Sequence, residues 1–238
     1  FMERYRLYNE VADLKNMYKI MKSYYAQDGA SFYAIGIPML ESVKLLKSGG
    51  MEREAEELLR YYEIHGEMLI KNGLCYPPHE VKYEQSIVAP AVNYLFQLYE
   101  LTGKILYLEE GKKQLAVLVL FNGHQPDFHM YENAVRHWDG YWFGKYKNLG
   151  DTFPHYWSSL SGVAFREYEK ITGERSYGVK AENSLRGVLS MINSDGSASC
   201  AYVYPFMVNN VRCQYADPWA NDQDWALYYY LKEGKNYD

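Results

Sequence analysis

Four segments of the chain concentrate residue types that do acid–base chemistry. They read AQDGASFY (26–33), CYPPHEVKYEQ (75–85), HWDGYWFGKYKNLGDTFPHYW (137–157) and YADPWANDQDWA (215–226). Between them they carry Asp28, His79, Glu80, Glu84, Asp139, Asp151, His155, Asp217, Asp222 and Asp224. Interleaved are Tyr76, Tyr83, Trp138, Tyr141, Trp142, Tyr156, Trp219 and Trp225. Paired carboxyl groups among aromatic rings suit glycosidic-bond cleavage. One protonates the leaving oxygen while the other activates water or attacks the sugar carbon. Aromatic surroundings raise the pKa of the acid, and flat rings stack on the C–H faces of sugars.

The first catalytic choices are Asp151 and Asp222, with Asp139 and Glu84 behind them and His155 as a substrate-orienting group or proton shuttle. Tyr141, Trp142, Tyr156, Trp219, Trp225 and His79 are substrate-binding candidates. Arg136 and Lys145 suit the carboxylate of an acidic sugar. The same residues also support a second chemistry, β-elimination. There His155 or Tyr156 takes the proton beside a uronate carboxylate, and Arg136 or Lys145 neutralises that carboxylate. A non-catalytic glycan-binding or structural module is the third reading.

Each candidate also has an ordinary structural role. Asp217 before Pro218 is an N-cap and N1 pair. Asp151-Thr152 ahead of Pro154 suits a cap or turn, and Asp139 before Gly140 suits a turn. Asp222 and Asp224 suit the first turn of a helix, where acids complement the dipole. His155 also fits a core position, as do Trp157, Tyr168 and the tyrosines at 228 to 230. The argument for a site is the convergence of four segments rather than any one residue.

Other chemistries are poorly served. His124, Asp127, His129 and His137 match no zinc or iron spacing, so no metal and no cofactor is expected. Phosphate-cradling glycine loops and a nucleophile-elbow serine are absent from the sequence. Net charge is −5 with no Lys/Arg block, which disfavours nucleic acid. The longest apolar run, Leu115 to Phe121, is too short to span a bilayer. Cys75, Cys200 and Cys213 are an odd count and no disulfide framework. Arg4 and Arg6 sit in a charged, helix-like stretch, so no signal peptide is legible. That reading favours the cytoplasm and leaves open what lies upstream of Phe1. Oligomeric state is not legible. The 26 tyrosines suit sugar platforms and helix packing equally.

Helical periodicity must position these segments. Apolar stripes run through Ala55, Leu58, Leu59, Tyr62 and Leu69, through Ile87, Ala91, Leu95, Leu98 and Leu101, and through Trp157, Leu160, Ala164, Tyr168 and Ile171. The spacing predicts helices over 2–25, 33–47, 51–72, 85–101, 104–121, 155–171, 176–193 and 219–232. Gly49, Gly103, Gly173 and Gly234 follow four of them as helix-closing glycines. Two copies match at a shift of about seventy residues, Leu98 with Tyr168, Leu101 with Ile171, Gly103 with Gly173 and Tyr107 with Tyr177. This is a repeated helical hairpin. Within the linkers, RHWDGYWFGKY and SASCAYVYPFMV suit short strands.

Tight turns at one end and long linkers at the other suit an all-α fold, an α/α toroid of about four hairpins in a single domain over 1–238, with a partial ring or a piece of a longer chain as the reading where six hairpins are needed to close it. A plain α-solenoid is the competing architecture. The run RHWDGYWFGKYKNLGDTFPHYWSSLSGVAFREYEKITG, with ADPWANDQDWALYYYL after it, resembles bacterial proteins of the six-hairpin glycosidase class. The resemblance implies a toroid and carbohydrate chemistry, with some polysaccharide lyases sharing the architecture. The leading expectation is a glycoside hydrolase acting on a glycan or uronic-acid oligosaccharide, and the alternative is the uronate lyase.

Overall fold

The computed structural model describes residues 11–25, 39–73, 85–121, 151–198, 201–204, 207–208, 210–212 and 223–234. Helices dominate. They are α1 (Val11–Tyr25), α2 (Met39–Ser48), α3 (Glu52–Asn72), α4 (Gln85–Thr102), α5 (Ile105–Val119), α6 (Ser158–Thr172), α7 (Arg175–Gly187) and α8 (Gln223–Glu233). A 3-10 turn, Val188–Met191, continues α7. Short strands form two antiparallel pairs, β1 (Asp151–His155) with β2 (Ala201–Tyr204) and β3 (Met207–Val208) with β4 (Val211–Arg212).

The expected helices are present with ends shifted by a few residues where both ends are described. Two ends have a clear physical cause. Helix α6 starts at Ser158 rather than 155, because Asp151–His155 is a strand paired with β2. Asp151 therefore does not cap α6, whose N-cap position is Trp157. Helix α7 closes at Gly187, and the tighter 3-10 turn replaces its expected last turn. The SASCAYVYPFMV stretch does contain strands, β2 and β3, whereas RHWDGYWFGKY lies outside the described residues.

The seventy-residue repeat holds at the level of single hydrogen bonds. Gly103 N–H donates to the Tyr99 carbonyl and Gly173 N–H to the Glu169 carbonyl, each at 2.7 Å. The Thr102 hydroxyl donates to Leu98 O at 2.6 Å, and that of Thr172 to Tyr168 O at 2.7 Å. Each hydroxyl then accepts the N–H two residues on, Lys104 or Glu174, at 3.2 Å. Gly103 and Gly173 have φ of 69° and 75°, the left-handed conformation that glycine adopts without a Cβ clash. At the first turn it is Gly50, not Gly49, that takes this conformation, and Gly234 is not left-handed.

The chain divides into two compact units. One comprises Phe1–Glu80 and Asn93–Gly111, the other Val81–Val92 and Lys112–Asp238. In the first, α1, α2 and α3 pack together. The Tyr94 hydroxyl donates to the Tyr62 carbonyl at 2.9 Å, the two rings meet edge-on, and the Tyr62 hydroxyl pairs with Ser42 at 2.8 Å. Burial pushes the Tyr62 phenol far above its usual range, with the Ser42 bond opposing. In the second unit α6 lies on α7 so closely that a methyl at Gly162 would stand 2.7 Å from Leu185 Cγ. Arg166, 4% exposed, ties the two helices together at mid-length. It pairs with Glu169, with Glu182 at 3.1 Å, and donates from Nε to the Glu233 carbonyl at 3.1 Å.

Burial alternates along the chain. Residues 88–98 of α4 and 158–166 of α6 are buried throughout, whereas α3, α5 and α7 keep solvent-facing stripes. A helix apolar all round must be covered all round. That is why α4 reads as SIVAPAVNYLFQL with few charges, whereas α3 is crowded with Glu, Arg and Lys.

Candidate active site

Three of the four chemistry-bearing segments run into neighbouring positions of the second unit. Segment 75–85 ends at Gln85, the first residue of α4, and segment 137–157 ends at the start of α6. These two ends are joined where Gln85 Nε2 donates to Ser161 Oγ at 3.0 Å, with both residues 0% exposed. Segment 215–226 ends at Ala226, which packs with Val188 and Met191 of the 3-10 turn. Half-buried Tyr156 lies against that same cluster, together with Tyr230. The fourth segment, 26–33, lies outside the described residues.

Tyr156 is held from its backbone. Its carbonyl accepts the Ser159 N–H at 3.1 Å and the Ser159 hydroxyl at 2.7 Å. The Trp157 carbonyl accepts the Leu160 N–H at 3.0 Å, the next bond of the opening turn. The two rings meet edge-on, 5.5 Å between centroids, an arrangement in which ring edges face ring clouds. Sequence therefore places a tyrosine at the junction of strand and helix, and Ser159 fixes its backbone.

His155 and Asp151 are placed by strand register. Asp151 stands opposite Tyr204, Thr152 opposite Val203 and His155 opposite Ala201. Three steps along β1 match two along β2, so β1 carries one extra residue in a bulge at Phe153-Pro154. A bulge is where proline, lacking an N–H, is tolerated in a strand pair. In a regular strand residues 151 and 155 share parity. Here the extra residue puts them at register positions of opposite parity.

Trp225 and Asp224 fall in the first turn of α8, which begins at Gln223. Glu84, Asp139, Asp222, Arg136, Lys145, His79, Tyr141, Trp142 and Trp219 lie outside the described residues, as do His124, Asp127, His129 and His137. Among the described residues no group of three or more His, Cys, Asp or Glu is arranged to hold a metal ion, and no helix is long and apolar enough to cross a membrane.

The sequence reading passed over two carboxamides. Gln85 leaves Oε1 without a hydrogen-bond partner, and Asn93 leaves both side-chain atoms so. Their signal in the sequence is that they flank the apolar run of α4 around IVAPAV, at positions eight apart and hence on one side of it.

No protein-family model matches the chain, nor does any curated protein. A solved structure named a polysaccharide lyase does match, with 49% sequence identity and a TM-score of 0.79. The match covers 95% of this chain and 34% of that one, so the chain spans about a third of that protein's length. Identity at that level over nearly the whole chain carries the helical fold described above.

Proposed function

We propose that this chain acts as a polysaccharide lyase, cleaving a uronate-containing glycan by β-elimination, within an α/α toroid of the six-hairpin kind. The observation that carries the reading is the 49% identity, across 95% of the chain, to a protein named a polysaccharide lyase. The glycine-closed hairpins and the alternation of buried and half-exposed helices support the toroid. Both elimination and hydrolysis fit the residue types of the converging segments. The similar protein's name favours elimination.

In this mechanism His155 or Tyr156 takes the proton from the carbon beside the uronate carboxylate. The electron pair left behind forms the carbon–carbon double bond as the bond to the glycosidic oxygen breaks. The departing oxygen takes up a proton, and no water is consumed. Arg136 or Lys145 neutralises the carboxylate, which makes the neighbouring proton acidic enough to remove. Tyr156 is the preferred base in this reading, supported by its backbone being fixed at the junction of β1, α6 and the 3-10 turn.

The test is a panel of alginate, polygalacturonate and hyaluronan, followed by ultraviolet absorbance of the unsaturated product and by reducing-end release. The parent is expected to give absorbing product on one polymer. Tyr156→Phe or His155→Ala is expected to cost about 10²-fold or more, the usual worth of a positioned acid–base group. Asp151→Asn and Asp222→Asn are expected to leave most of the rate. Reducing ends without absorbance, lost in either aspartate variant, would replace elimination by hydrolysis.

A further inference from the structure

The Asn93 carboxamide is the least explained group in the described chain. It is 0% exposed, and neither Nδ2 nor Oδ1 has a hydrogen-bond partner. Its neighbours along α4 are apolar and buried, with Ala89, Val92 and Phe96 each at 0%. A buried amide without partners loses the water bonds it had when unfolded and gains nothing in return. An aliphatic residue of similar volume would suit this position better if nothing were bound there.

The next carboxamide on the same helix is satisfied, by contrast. Gln97, one turn further along α4, accepts the Leu40 N–H through Oε1 at 2.8 Å. Leu40 is the second residue of α2, so Gln97 caps that helix from a neighbouring one. Residues four apart share a helix face with Cβ atoms about 5–6 Å apart. Asn93 therefore shares a face of α4 with Gln97, yet its own amide has no partner. Asn93, Gln97 and Leu40 all belong to the first compact unit.

We propose that the buried Asn93 carboxamide holds a hydroxyl oxygen. The chemistry follows from the amide, which offers a donor and an acceptor on one planar group. A hydroxyl oxygen both donates to Oδ1 and accepts from Nδ2. A bare ion satisfies only one of the two. Water is one source of such an oxygen and a sugar hydroxyl is the other. The sugar source rests on the function proposed above, and the water source does not.

The experiment observes the side-chain amide directly in the full chain, selectively labelled with nitrogen-15 at asparagine. Asn93→Leu identifies the resonance by its disappearance, and Asn93→Ser does so if the first variant does not fold. A cross-peak from the Asn93 amide protons to a long-lived water is expected in the free chain. Addition of alginate, polygalacturonate or hyaluronan tetrasaccharide then separates the sources. Loss of the water cross-peak with a shift of the amide resonance assigns the site to a sugar hydroxyl. Persistence of both assigns it to structural water. An amide with neither a water cross-peak nor a response to any of the three sugars overturns the proposal. Absence of unsaturated product from the parent would overturn the lyase reading alone.

Discussion

Arg166 shows how much one side chain decides at the residue scale. Its guanidinium is nearly inaccessible and reaches Glu169, Glu182 and the last carbonyl of α8. A fork of donors in fixed geometry suits that task, and a lysine would not serve all three. Removing one member of a buried pair leaves the other charge uncompensated. Arg166→Met is therefore expected to cost about 3–5 kcal/mol in urea unfolding, and adding Glu182→Leu is expected to recover part of the loss. Equal stability of parent and single variant would show the pair to be solvated. The smaller cluster at Asp195 responds to pH. Ser197 donates to that carboxylate from both its hydroxyl and its N–H, lowering its pKa below the ordinary 3.8. Its contribution is present above that value and is lost as pH falls through the lower folded one. The protection of the Ser197 amide, its exchange rate relative to an unstructured amide at the same pH, is expected to fall only in that acid window, and a loss of protection already at pH 6 would contradict the assignment.

At the scale of elements, the repeated Thr-Gly turn is the unit that builds the chain. Its threonine accepts and donates across the helix end, and its glycine makes the left-handed exit. Because the two copies share every one of these bonds, Gly103→Ala and Gly173→Ala are expected to cost similar amounts, about 1–2 kcal/mol each, from the Cβ clash. Thermal unfolding of the two variants checks this, and a cost confined to one copy would break the equivalence. Both turns were legible in the sequence, since threonine, glycine and the flanking apolar residues recur at one spacing. The bulged strand was not. Asp151-Thr152-Phe153-Pro154-His155 has no alternating pattern, and its strand character comes from pairing with residues about fifty positions away.

At the scale of the whole molecule, net charge bears on the proposed substrate. The chain carries a net charge of −5, and the polyuronate proposed as its substrate is anionic, so their long-range interaction would be repulsive. Salt shortens the Debye length from about 30 Å at 0.01 M to about 8 Å at 0.15 M and screens it. The rate constant kcat/KM on the cleaved polymer is expected to rise over that range. A fall would mean that local cations such as Arg136 and Lys145 outweigh the overall charge.

The sequence by itself determined the helical class, the hairpin rhythm and the residue types of the converging segments. These depend on local periodicity and on turn chemistry, which act within a few residues. Tertiary structure alone decided that Gln85 meets Ser161, that Tyr156 packs beside Ala226, and that Asp151 and His155 differ in register parity. It also decided that Asn93 is buried without a partner. Each of these joins or isolates groups far apart in the chain, and no local pattern encodes which distant surfaces meet.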